Sequence, residues 1–351
     1  MKTVKLLVCI ALITISCSKD EATETGIDYF PPIENTLWET ISVSELGYNQ
    51  SAIPSLVTFL EQKNTKGFIV LENGKIALEY YFNNHNASSN WYWASAGKTL
   101  TAATVGIAQN EGFININNPV SNYLGLGWTA TTPSQENAIT CKHLLNMTSG
   151  LDDSLGENTS SENLQFIANS GTRWAYHNVY VKLQDVITQS TSSNFNSYFI
   201  TKLQSKIGMD GNWIQVVDNS VFTSTTRSMA RFGLLALHNG RWKNEQVVPE
   251  AYFIESKSTS QNLNKSYGYL WWLNGKDSFR LPQSQLEFSG FLIPNAPVEM
   301  VAALGKNDQK IYLIPSKNRV IIRMGNAADG ENNALSNFDN ELWEKLNTVF
   351  N

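Results

Sequence analysis

The sequence predicts an α+β fold, with an antiparallel sheet built from both chain ends, flanked by helices, and a helical lobe inserted between its halves. Three observations predict it. In "GFIVLENGKIALEYYF" two β-rich runs flank Asn73-Gly74, the strongest short signal for a hairpin. A long middle stretch then shows apolar residues at helical spacing. Finally "EMVAALG", "QKIYLIP" and "NRVIIRMG" return to strand character before a closing amphipathic helix, "ELWEKLNTVF".

The elements follow in order. Residues 1–17, "MKTVKLLVCIALITISC", have two lysines, a short apolar run and a small residue before Cys17. That is a secretory signal, too short to be a retained spanning helix. Its end resembles a bacterial lipobox, so Cys17 is the expected lipidation site. The expected location is that of an exported bacterial lipoprotein at the outer membrane or cell surface, with the membrane reached through the lipid anchor. Residues 18–36 are polar and contain prolines, and read as a tether. Residues 37–351 form one domain. Its first helix carries Ile53, Leu56, Val57 and Leu60 on one face. The hairpin at Asn73-Gly74 comes next. A helix of small residues, "SAGKTLTAATVGIAQNEG", starts at Ser95 and stops at Gly112. Further helices are expected at "TCKHLLNMTSG", "ENLQFIANS", "NVYVKLQDVITQ", "FNSYFITKLQSKIG", "TTRSMARFGLLALHNG" and "PEAYFIESKS"; "YGYLWWL" reads as a strand.

Composition narrows the function. The formal charge of −5 and a pI near 5.5 argue against a nucleic-acid partner, which normally meets a basic stripe. Once Cys9 leaves with the signal and Cys17 carries lipid, Cys141 is alone and reads as a buried small hydrophobe. No spacing of His, Cys and acids suggests a metal, and no glycine loop suggests a nucleotide, so no cofactor is expected. A G-x-S-x-G elbow is absent.

The chemistry concentrates in three short stretches. In "WYWASAGKTL", Ser95 and Lys98 are three apart on a helix, about one turn, and share a face. A serine hydroxyl needs a base. A lysine serves as one only when burial or a nearby cation lowers its pKa. In "GTRWAYHNVYVKL", Tyr176 is placed to relay a proton and Asn178 to hold a substrate carbonyl, while His177 between them is expected to point away. In "AALGKNDQKIYLIP", Lys306 is a candidate cation beside the substrate that also helps lower the Lys98 pKa. A backbone N–H of this strand would complete an oxyanion hole with that of Ser95.

The order S-x-x-K, Y-x-N, then a Lys- or His-bearing strand motif resembles the serine β-lactamase and penicillin-binding-protein superfamily. The likeness is strongest to class C β-lactamases, β-lactamase-fold esterases, D-amino peptidases and 6-aminohexanoate-dimer hydrolases. "TCKHLLNMTSGLDD", "MARFGLLALHNGRWKNEQVVPEAY" and "YGYLWW" extend the resemblance over residues 38–330. It implies a β-lactamase/transpeptidase-like fold, Ser95 as acylated nucleophile, Lys98 as its base and Tyr176 as proton shuttle. It also implies Asn178 at the substrate carbonyl, Lys306 as the first residue of the strand triplet, and the Gln309 backbone as second oxyanion donor. The triplet departs from the pattern: Lys306-Asn307-Asp308 has an aspartate where a small residue is usual, expected to narrow the cleft and pair with Lys306. The reading is a serine hydrolase of a small ester or amide. The alternatives are a D-amino peptidase, a β-lactamase, and a non-catalytic cell-surface binding protein. Substrates would be small molecules or short peptides; the oligomeric state is open.

Overall fold

The computed structural model describes residues 28–217, 219–330 and 333–350, so the expected signal and Cys17 lie outside the described residues. The main sheet has six strands, all antiparallel. In spatial order they are Lys75–Tyr81, Thr65–Glu72, Arg319–Gly325, Gln309–Ile314, Val301–Gly305 and Trp272–Leu273. The hairpin at Asn73-Gly74 pairs Glu72 with Lys75. Both turn residues have positive φ, 52° and 80°, as the favoured two-residue turn requires. The early hairpin meets the late strands through Val70 opposite Ile321, which closes the sheet from both chain ends as the sequence predicts.

Period-two alternation decides what each face touches. Val320, Ile322 and Ile311 crowd Gly233 on the Thr226–Leu237 helix, where an added Cβ would lie 2.6 Å from Val320. The opposite face presents Lys310, Tyr312 and Arg323 to the C-terminal helix Asn337–Phe350, whose Trp343 meets Tyr312 edge-on at 5.6 Å. The Ile53–Gln62 helix packs beside the C-terminal helix, its Phe59 stacked on Phe338.

Several elements differ from expectation. The first helix begins only at Ile53, with Pro54 in its first turn. "ENLQFIANS" is not an α-helix: a single 3-10 turn, Ser161–Asn163, precedes a bridge between Phe166 and Leu151. Only Trp272–Leu273 of "YGYLWWL" is strand, because Leu270 takes a φ of 63° and breaks the extended run. A small sheet of Asn90–Tyr92, Asn219–Thr225 and Asn212–Val216 was not foreseen. The expected tether also shortens. From residue 28 the chain lies on the body: Phe30 is buried against Trp242 and His238, and Arg231 donates to the Pro32 carbonyl at 2.7 Å.

Candidate active site

Ser95 sits in a 3-10 turn, Ala94–Gly97, that runs directly into the Lys98–Asn110 helix. The turn is pinned from behind. Trp93 donates its backbone N–H to Phe222 at 2.8 Å and its indole N–H to the Ser224 hydroxyl at 2.7 Å. Ala94 has a φ of 46°, a conformation costing a non-glycine residue on the order of 1–2 kcal/mol. Strain of that size next to a nucleophile is a recurrent feature of functional sites. The helix itself is buried almost throughout, which explains its small residues: Gly106 lies where a Cβ would strike the Tyr252 ring.

Lys98 is buried and its Nζ lies 3.0 Å from Ser95 Oγ and 3.0 Å from Asn178 Oδ1. It also stands over the Tyr180 ring at 4.4 Å and the Tyr176 ring at 5.2 Å. Burial lowers its pKa to about 7, opposed by the Glu157 carboxylate. Lys306 has no part in that shift, contrary to expectation; desolvation alone drives it. Tyr176 stacks on Trp272 at 5.8 Å and packs edge-on to Tyr267 at 6.1 Å. Burial holds its hydroxyl above the usual phenol range, and a hydrogen bond with Ser95 offsets part of that. The phenol is therefore neutral at physiological pH.

These groups border one cavity of about 750 Å³, which also takes in Glu157, Trp272 and the hairpin residues Val216, Val217 and Val221. His177 lines this cavity too, rather than pointing wholly away. It is buried and its pKa falls to about 4, mainly through desolvation, so it is neutral. Cys141 is buried with its thiol pushed up to about 12, an inert hydrophobe as expected. Among the described residues no cluster of His, Cys, Asp or Glu could hold a metal.

The strand motif needs correction. Lys306 does line the cleft, exposed on the turn after Val301–Gly305. Asp308 does not. It is buried and turned away, ion-paired with Lys310 at 3.2 Å rather than with Lys306. Gln309 is fully buried as well, and its side-chain amide donates to Asn307 and Gly325 carbonyls at 2.8 and 2.7 Å, bracing the turn from inside. It does not border the cavity. The residue that meets the Ala94–Gly97 turn is Gly305, where a Cβ would lie 2.4 Å from the Trp93 carbonyl and 3.0 Å from the Ala96 nitrogen. Only glycine allows that approach. Gly305 thus brings the end of this strand, and Lys306 beside it, up to the Ala94–Gly97 turn. Its signal was legible: a glycine directly before Lys306. Glu157 and the hairpin walls had no comparable signal.

The Beta-lactamase family model matches residues 50–342. This chain belongs to the beta-lactamase family. An uncharacterised protein of Alkalihalophilus pseudofirmus is 23% identical over 297 residues, covering 74% of this chain and 82% of that one. A structure assigned as a 6-aminohexanoate-dimer hydrolase from Bacillus anthracis superposes with a TM-score of 0.69 at 19% identity, covering 91% of this chain and 89% of that one. A class C beta-lactamase mutant gives 0.62 at 15% identity, with coverages of 87% and 98%. The members of this beta-lactamase family share the fold described above, and the family is one of hydrolases.

Proposed function

We propose that this beta-lactamase-family protein hydrolyses a small ester or amide through an acyl-enzyme on Ser95. The observation that carries the reading is the Lys98 ammonium site: buried, 3.0 Å from Ser95 Oγ, oriented by Asn178, with a pKa near 7. Neutral Lys98 takes the Ser95 proton as Oγ attacks the substrate carbonyl. The tetrahedral oxyanion lies against the backbone N–H groups of Ser95 and Lys306, the latter brought up by the close approach of Gly305. Tyr176, a neutral phenol, donates a proton to the leaving alkoxide or amine and recovers it from Lys98. The acyl-enzyme then breaks when water loses a proton to the same base and adds to the carbonyl, releasing acid and free Ser95.

The cavity walls support a partly apolar substrate. Val216, Val217, Leu281 and Pro282 border it alongside Glu157 and Lys306. Asp308, buried and paired with Lys310, adds no negative charge to the cleft. The sequence of residues 1–17 supports export with lipid at Cys17.

The test is intact mass after incubation with p-nitrophenyl esters. Wild type should gain one acyl group and release nitrophenolate, and Ser95→Ala should do neither. Unchanged turnover in Ser95→Ala, or fluorophosphonate labelling of another serine, would overturn the proposal.

A further inference from the structure

Asp308 is the residue the sequence placed in the cleft and the structure places behind it. Its surroundings give it a different task. It lies in a three-residue turn between Gly305 and Gln309 in which both Asn307 and Asp308 have a φ of 60°. Arg323, itself buried, donates to the carbonyls of Asn307 and Asp308 at 2.9 and 3.0 Å and so holds the turn's backbone. The Asp308 carboxylate then reaches the chain that follows the last strand. One oxygen accepts from the Ala328 N–H at 3.0 Å. The other accepts from the Ser336 hydroxyl at 2.9 Å and pairs with Lys310 at 3.2 Å. Lys310 donates in turn to the Ala334 carbonyl and to Asp339, both at 2.7 Å. Ala334 and Leu335 line the cavity, as does Lys306 on the Asp308 turn. One buried carboxylate thus ties two walls of the cleft together from outside it.

We infer that Asp308 is a positioning residue: it locks the turn carrying Lys306 to the Ala334–Leu335 wall and thereby sets substrate fit without touching substrate. The charges make the lock specific. Two carboxylates, Asp308 and Asp339, meet two buried cations, Lys310 and Arg323. Each carboxylate oxygen meets a partner that can only donate, the Ala328 N–H on one and the Lys310 ammonium on the other. An amide in its place leaves its NH2 facing another donor, so Asp308→Asn keeps the shape and breaks the lock. A one-oxygen loss at this depth is felt because the group has no water to turn to.

The kinetic arm rests on the acyl-enzyme reading; the structural arm does not. Asp308→Asn should raise KM for a p-nitrophenyl ester about tenfold, and Ser336→Ala, a milder cut, about threefold. In both, the pH midpoint set by Lys98 should not move, because neither variant touches Lys98. Amide hydrogen exchange should speed up together in the peptides containing Lys306 and Leu335. Unchanged KM in both variants with only a lowered thermal midpoint would overturn the inference, as would faster exchange in one peptide alone. If wild type turns over no ester, the exchange measurement decides the inference by itself.

Discussion

Lys98→Met separates the stability cost of the site from its chemistry. Methionine has nearly the volume of lysine and no charge. A fall in the Lys98 pKa from 10.5 to about 7, at 1.36 kcal/mol per pH unit, corresponds to about 5 kcal/mol between the limits. The sign follows from proton counts. Between pH 7 and 10.5 the unfolded chain holds a proton on this lysine and the folded chain does not, so the folded state loses stability as pH falls through that window. Below pH 7 both states are protonated and the penalty is constant; above 10.5 it vanishes. Methionine removes the penalty and also two hydrogen bonds, to Ser95 and Asn178, worth about 1 kcal/mol each, while leaving Asn178 Oδ1 short of a donor. At pH 7 the variant should therefore be more stable than wild type by roughly 1–2 kcal/mol. Denaturant unfolding at several pH values measures this, and groups common to both proteins cancel in the difference. The advantage of Lys98→Met should shrink from pH 7 upward at about 1 kcal/mol per pH unit, change sign between about pH 8 and 9, and become a deficit of roughly 2–3 kcal/mol by pH 10.5. Ester hydrolysis by the variant should fall about 10²–10⁴-fold. In wild type, kcat/KM should rise with pH up to about 7 and then level. A stability difference that does not vary with pH would refute the reasoning, since it would mean that Lys98 keeps an ordinary pKa.

Three further outcomes are expected. Tyr176→Phe should keep the stacking on Trp272 and the melting temperature within a degree or two, yet lose about 10²-fold or more in kcat, read with a poor leaving group. Gly305→Ala forces a Cβ against the Trp93 carbonyl, so it should cost about 1–3 kcal/mol of stability and about 10²–10³-fold in kcat, measured by unfolding and by burst kinetics. Cys17→Ser should abolish palmitate labelling of the expressed protein and release it from the membrane fraction; labelling that persists would refute lipid attachment at that residue.

The sequence by itself determined a good deal. Local chemistry sufficed wherever a short stretch carries its own signal: Asn73-Gly74 for the hairpin, three-residue spacing for Ser95 and Lys98, period-two runs for the late strands, and the small residues of the buried Lys98–Asn110 helix. Tertiary structure decided the rest, because burial and long-range approach have no local signature. Nothing near Lys98 in sequence says that it is desolvated by Tyr176 and Tyr180 and oriented by Asn178, which lies 80 residues away. A lysine and a glycine compete for the same motif at Gly305-Lys306. The choice between them depends on which backbone meets the Trp93 carbonyl, a contact made 212 residues from its partner in the chain. Asp308 read as a charge in the cleft because its partners, Ala328, Lys310 and Ser336, come together only when the sheet and the C-terminal helix pack. The spacing of polar residues gave the reaction its candidates. The folded sheet, closed from both chain ends, decided which of them face the substrate and which hold the walls.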